Sequence, residues 1–274
     1  MARLEPVPGE RAALATIDGE RALLIADYHA GVEAGLRYER GIEVPSRAAE
    51  RRERLRAAID RTDADRLVIL GDLMHSIGEP GGAERGELEV LFETLAPVAV
   101  TLVKGNHDGA IESWLYESID ESGTAGATSL SVSPGEGTLL GEIGVCHGHS
   151  WPSADALDGS VLCMGHEHPC VRLEDEVGGS RIEPVWLRGS LDRSWLGSQI
   201  PTGSSAERLE YEESTSPDDG GTELVVLPAF NELVGGTWVN VAGQSFLSPM
   251  LPRALVDGEA YLVDGTRLGP YDSI

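Results

Sequence analysis

The chain has 274 residues and a formal net charge of −25, from 46 acidic side chains against 21 basic ones, with 41% hydrophobic residues. That length supports a full core, and the hydrophobic share excludes a disordered chain despite the charge. No apolar run approaches the roughly 18 residues of a membrane span, and the acidic start MARLEPVPGE lacks the apolar stretch of a signal peptide, so a cytoplasmic protein without membrane contact is expected.

Short aliphatic runs alternate with charged, helix-like stretches along the chain. The run Ala22–Ala26 is the first predicted strand. Ser46–Arg61 reads as a helix, with Ser46 after Pro45 as its N-cap, Leu55, Ala58 and Ile59 on one face, and Glu50 and Arg54 spaced as an i,i+4 pair. Arg66–Leu70 is the second strand, Gly86–Leu95 a helix, Val98–Val103 the third strand and Ala110–Ser118 a further helix. Ile143–Cys146 and Val161–Met164 complete the set. Each run is too short for a helix and is bounded by glycine or polar clusters, as buried strands are. Cys170–Val177 and Arg181–Leu187 form a hairpin about Gly178-Gly179. The stretch 197–222, rich in Ser, Glu, Asp, Pro and Gly, reads as a mobile acidic loop within a single domain spanning 1–274. Glu223–Leu227, Thr237–Val241 and Ala260–Val263 are predicted strands, and the alternation predicts an α/β core.

Several chemistries are excluded. The only lysine, Lys104, lies in Val103-Lys104-Gly105, so there is no P-loop, and GxGxxG, GxSxG and HExxH are absent. Cys146, Cys163 and Cys170 show no CxxC spacing, which excludes a disulfide framework and a cysteine zinc cluster and fits a reducing compartment. The seven histidines are the informative feature. The first strand ends in Asp27-Tyr28-His29, the second in Gly71-Asp72-Leu73-Met74-His75, and the third is followed by Gly105-Asn106-His107-Asp108. The fourth ends in His147-Gly148-His149 and the fifth in Gly165-His166-Glu167-His168. Ligands of α/β sheets bind at the carboxyl ends of strands, so five strand ends would deliver His, Asp and Asn into one cleft. A mixed imidazole, carboxylate and amide shell suits Mn, Fe or Zn better than Ca or Mg. So many ligands exceed one tetrahedral site, which implies a dinuclear centre.

The ordered set DxH, GDxxH, GNHD, HGH and GHxH, over residues 27–168, resembles the calcineurin-like metallophosphoesterases. GDLMHS, with His75 three residues after Asp72, resembles the SbcD-type nuclease branch. LPAFNELVGG (Leu227–Gly236) and RYERGIEVP (Arg37–Pro45) resemble archaeal SbcD-related phosphoesterases. The resemblance implies a four-layer α-β-β-α sandwich of two mixed sheets. It implies that Asp27, His29 and His168 hold a first metal, that Asn106, His147 and His166 hold a second, and that Asp72 bridges both. It makes His107 the catalytic histidine and Asp108 its orienting acid, and it places His75 near the leaving group. His149 is expected to line the site, and Tyr28 to point away from the metals.

The expected activity is hydrolysis of phosphodiesters by two divalent ions, Mn2+ first with Fe or Zn as alternatives. The expected substrate is nucleic acid, single-stranded or damaged DNA, with a DNA-repair protein as partner. The alternatives are a phosphatase or small cyclic-nucleotide phosphodiesterase, and a non-catalytic metal-binding partner in a repair complex. Residues 37–66 hold nine Arg and seven acidic residues, which reads as a solvated, ion-paired helix or as a docking face for nucleic acid. The excess of acid and of Arg over Lys resembles proteins of salt-in halophiles, whose self-repulsion molar salt screens. In that solvent, negative charge does not argue against a nucleic-acid substrate.

Overall fold

Residues 4–96, 98–115, 130–199 and 221–274 are described in the computed structural model of the chain. Strand residues alternate between two apolar environments, which sets the layering. In β4 (Arg66–Leu70), Leu67 and Ile69 face one core while Val68 and Leu70 face another. β4 lies in a sheet ordered β1 (Leu4–Pro6), β2 (Ala13–Ile17), β3 (Glu20–Ile25), β4, β5 (Ala99–Val103), β6 (Leu130–Ser133). β3 to β6 run parallel, and β1 and β2 add on antiparallel.

The second sheet is built from β7 (Thr138–Leu140), β8 (Ile143–Cys146), β9 (Val161–Met164), β10 (Cys170–Glu174), β11 (Ser180–Leu191), β12 (Glu223–Val226), β13 (Leu255–Leu262) and β14 (Arg267–Pro270). Its order is β14-β13-β11-β12-β9-β8-β7, with β10 paired to β11. β8, β9 and β12 are parallel and the remaining pairs antiparallel.

The helices α1 (Val32–Arg40), α2 (Ala48–Thr62) and α3 (Gly82–Leu95) flank the first sheet, where Leu55, Ile59, Leu88 and Leu91 meet Leu23, Ile25, Leu67 and Ile69. Between the sheets, Leu24, Val68 and Leu70 meet Val145, Cys163, Trp186 and Val225. Beyond the second sheet, Leu162, Met164 and Val226 pack under Leu157, Leu196, Val239 and Met250. Each such fully buried aliphatic side chain contributes roughly 1.5–3 kcal/mol. The layering is the four-layer α-β-β-α sandwich of two mixed sheets. No described helix is long and apolar enough to cross a membrane.

All five histidine-bearing strands form where expected, and the hairpin is β10–β11. Other expectations need correction. Thr237–Val241 is not a strand: Trp238 makes one isolated bridge to Cys170, and the chain then turns. The Asn240 side chain takes over the pairing, accepting from Arg172 N at 2.9 Å and donating to Arg172 O at 2.8 Å. Ser46 does not cap α2, which starts after Arg47; its hydroxyl accepts from Ala48 N at 3.3 Å in a local turn. Glu50 pairs with Arg47, not Arg54, because Arg54 reaches across to Glu232. α3 starts at Gly82, four residues earlier than expected, and 111–115 are helical while 116–118 fall outside the described residues. Residues 197–199 of the expected acidic loop end the helix Arg193–Gln199, and 200–220 lie outside the described residues.

Candidate metal centre

Parallel strands β3, β4 and β5 of one sheet and β8 and β9 of the other end at the same place, so five loops converge there. The loops turn sharply. Of the eight non-glycine residues with positive φ among the described residues, five are Asp27, His29, Asp72, His166 and His168. Asp and His tolerate this left-handed region better than most residues, but each still costs on the order of 1 kcal/mol or more. Gly105 lets the third loop approach closely, since a Cβ there would run into the Asp72 carboxylate.

Two groups of side chains share the Asp72 carboxylate, and His29 also belongs to a third group with His75 and His107. Asp27, His29, Asp72 and His168 have ligand atoms within 4.8 Å of one another, and so do Asp72, His147 and His166. In the first group His168 Nε2 lies 3.3 Å from Asp27 Oδ1 and 3.5 Å from His29 Nε2, which lies 3.7 Å from Asp72 Oδ2. In the second, His147 Nε2 lies 3.4 Å from Asp72 Oδ1 and 3.2 Å from Asn106 Oδ1. Two carbonyls fix the rings. His147 Nδ1 donates to Leu70 O at 2.8 Å, and His168 Nδ1 donates to Gly235 O at 2.7 Å. The Nε2 atoms of both rings therefore face carboxylate oxygens, an arrangement that either a proton on Nε2 or a metal ion between the two satisfies.

The electrostatics agree. Burial opposes charge on His147, but Asp72 and Asp27 outweigh it and raise its pKa to about 9. Burial likewise opposes charge on His168, and Asp27 wins again, raising its pKa. His29 falls to about 3 through burial, and His166 to about 4 through burial and the neighbouring His147. Asp27 and Asp72 are held below the usual carboxylate range by these imidazoles, against the upward push of burial. Each group thus offers one imidazole whose pKa is lowered and one whose pKa the carboxylates raise. The donor set fits two divalent cations sharing Asp72.

The remaining predicted residues stand around this pair of groups. His107 Nε2 lies 3.9 Å from Asp72 Oδ2, and its Nδ1 donates to the His75 carbonyl. The His75 ring stacks on His107, centroids 5.9 Å apart, with its Nδ1 3.4 Å from His29 Nδ1. His149 lies 5.3 Å from the His147 ring and lines a pocket with Lys104 and Gly135. Tyr28 is fully buried and turns its ring to Phe230 and Arg51, away from the two groups. The Asp108 carboxylate does not touch the His107 ring. It accepts from Gly105 N, Met74 N and Leu73 N at 2.8, 2.9 and 3.3 Å, tying the second and third loops together.

Sequence reasoning missed three further residues. Glu84 accepts from His75 N at 2.6 Å and Ser76 N at 2.9 Å. Glu167, buried between His166 and His168, accepts from Thr237 Oγ1, Leu247 N and Ser248 N at 2.6–3.1 Å. Asn231 donates to Tyr28 O and His29 O. A charged residue between two ligand histidines was a signal for Glu167, and LPAFNELVGG contained Asn231; nothing in the sequence marked Glu84.

A search of the curated proteins gives no match. Among solved structures, the nuclease MPE of Pseudomonas putida is 19% identical, with 97% of this chain and 100% of that one covered at a TM-score of 0.52, a likeness of fold. The phosphoesterase Yfce of E. coli is 21% identical over 56% of this chain and 73% of its own, at a TM-score of 0.31. The sequence profile of the calcineurin-like phosphoesterases matches residues 20–198, a stretch that contains both groups of side chains and all five loops. The chain therefore belongs to the calcineurin-like phosphoesterase family and is a metal-dependent hydrolase of phosphoric esters.

Proposed function

We propose that this enzyme cleaves phosphodiester bonds in nucleic acid, single-stranded DNA first, with Mn2+ in both metal positions. In this reading Asp27, His29 and His168 hold one ion, Asn106, His147 and His166 the other, and Asp72 both. The ions would supply an activated water and a Lewis acid for the phosphoryl oxygens. The chain's own residues do the rest. With Nδ1 donating to the His75 carbonyl, His107 turns Nε2 toward the Asp72 side of the cleft, where it can stabilise charge on phosphorus oxygens or protonate the leaving oxygen. Asp108 acts as a positioning residue, holding the backbone that carries His107 and His75.

The observation that carries the reading is the stacked pair His75 and His107 beside the shared carboxylate. A sugar alkoxide leaves with difficulty and needs a proton, and two imidazoles at one edge of the centre suit that demand. The fold likeness to a protein named as a nuclease supports the substrate class. The Arg-rich stretch does not add to it. Arg37, Arg47, Arg51, Arg54, Arg56, Arg61 and Arg66 are engaged in ion pairs, of which Arg56–Asp60 is i,i+4 and that of Arg51 is buried.

The test is turnover with Mn2+ in molar KCl, the solvent the acidic surface suits, comparing single-stranded DNA, a chromogenic aryl phosphodiester and an aryl monoester. DNA and diester should be cleaved. Monoester turnover without DNA cleavage would point to a phosphatase. Uptake of two ions without any turnover would point to a non-catalytic binding subunit.

A further inference from the structure

LPAFNELVGG is a stretch to which the proposed chemistry assigns no role, and it lies beyond the part of the chain that matches the family. It leaves the second sheet after β12, with Leu227 N donating to Met164 O at 2.8 Å. It then joins the end of the first sheet, with Phe230 N donating to Ala26 O at 2.7 Å and Asn231 N to Asp27 O at 3.2 Å. The segment so bridges the carboxyl ends of the two sheets at the metal centre.

Asn231 is 1% exposed and uses its whole amide. Nδ2 donates to Tyr28 O at 2.9 Å and to His29 O at 3.1 Å, while Oδ1 accepts from Leu233 N at 2.9 Å. The two carbonyls it binds belong to the turn in which Asp27 and His29 hold left-handed backbone, a conformation that persists only where the surroundings impose it. Four residues on, Gly235 O accepts from His168 Nδ1. Gly236 packs so closely that a Cβ there would run into the His168 carbonyl. Phe230 stacks on Tyr28 at 6.0 Å, closing the turn from behind.

The contacts that Phe230, Asn231, Gly235 and Gly236 make with the centre go to Asp27, His29, His168 or their immediate neighbours. Of the second position's residues, His147 donates to Leu70 O of β4 and meets Asn106, while His166 N donates to the Asp27 carboxylate at 3.1 Å. We propose that Asn231 is the positioning residue of the first metal position, holding the Asp27–His29 turn while the Gly235 carbonyl of the same segment fixes His168. The family-matched region would then contain every ligand but not the clamp that sets one of the two positions. This rests on the two-metal reading above.

The experiment is Mn2+ titration of the full chain by calorimetry, with far-UV circular dichroism and the thermal midpoint in chelator as controls of folding. Wild type should take up two equivalents. Asn231→Asp keeps the acceptor for Leu233 N but sets an oxygen against the two carbonyls. It should retain one equivalent at wild-type affinity and weaken the other by ~10–100-fold, the usual effect of losing a residue that orients metal ligands. In a His29→Ala background, which leaves the second position alone, Asn231→Asp should add no further loss. Gly236→Ala acts at the opposite end of the segment and should reproduce the selective weakening should the first variant fold poorly. Equal weakening of both equivalents, or a lowered midpoint with both affinities intact, would overturn the assignment. Uptake of a single equivalent by wild type would instead overturn the two-metal reading, and the clamp with it.

Discussion

The two halves of the metal centre are chemically alike and structurally different. Each pairs a histidine of lowered pKa, His29 or His166, with one whose pKa neighbouring carboxylates raise, His168 or His147. Yet His147 leans on Leu70, a fully buried residue of a central strand, while His168 leans on Gly235, an exposed residue of a segment outside regular structure. Support for a ligand is therefore not uniform across one site. The second half inherits rigidity from the core of the sandwich. The first half has main-chain bonds from Asp27 N to Gly71 O and from His29 N to Asp72 O, and it adds support from just over 200 positions away in sequence, through Asn231.

Asp72 is the joint between the halves, so its removal tests the comparison most severely. Asp72→Ala should lose both ions and at least ~10³-fold in turnover, the scale on which preorganised charge stabilisation disappears. His147→Ala should keep one ion. Elemental analysis after Mn2+ loading reads both results, and an Asp72→Ala protein that retains one full equivalent would show that the halves do not share that carboxylate.

His107 belongs to neither half. Its main-chain N donates to Asp72 Oδ1 at 3.0 Å, but its ring Nε2 stands 3.9 Å from that carboxylate, and the ring is fixed by a carbonyl rather than by a metal-facing carboxylate. His107→Ala should therefore keep both ions and lose ~10²-fold or more in kcat, with the loss falling on kcat rather than on Mn2+ affinity. Loss of either ion would assign His107 to that half and undo its catalytic role.

The contrast between the halves also marks where the sequence could be read. β4, β8 and β9 are buried on both faces, so their runs are apolar without interruption and stand out. β1, β6, β7 and β14 are short and carry exposed or half-buried residues, and no comparable signal announces them. The ligand loops were legible because metal chemistry needs His, Asp and Asn at strand ends. Asp108 follows His107 in sequence, which suggested that ring as the partner of its carboxylate, but the carboxylate accepts from the backbone amides of two loops. Asn231 was hidden for a deeper reason. Its partners are main-chain carbonyls, which carry no side-chain identity, so no spacing or pattern encodes the contact.

His75 leans toward the first half, with its Nδ1 3.4 Å from His29 Nδ1, and stacks on His107. If its task is to protonate an alkoxide, His75→Ala should lose roughly tenfold or more on single-stranded DNA and much less on an activated aryl diester, whose leaving group needs little help. Both ions should remain. Equal losses on the two substrates would make His75 a support for the first half rather than a proton donor.

The smallest effect is expected behind the first half. Buried Arg51 binds Glu33 at 3.3 Å and Glu87 at 2.6 Å, and Glu87 in turn accepts from Gly31 N at 2.9 Å, two residues after His29. Glu33 also accepts from Arg47 N at 2.8 Å. Burial pushes the Glu33 carboxyl up, but its bonds to Arg51 and Arg47 prevail and hold it below the usual carboxylate range. A carboxyl held low in the folded state adds stability that is complete above its ordinary pKa of about 4.3 and fades as the pH falls through the folded value. Glu33→Gln keeps the acceptor oxygen and removes the charge, leaving Glu87 to neutralise Arg51. Its midpoint should lie ~2–4 °C below wild type at pH 7, the scale of about 1 kcal/mol in a chain of this size. The gap should close as the pH falls through the lowered value of the folded carboxyl, because wild-type Glu33 then becomes neutral too. A gap that stays constant from pH 7 down to the onset of acid unfolding would mean that Glu33 acts by packing and hydrogen bonding alone, and that charge plays no part in bracing the first half from outside.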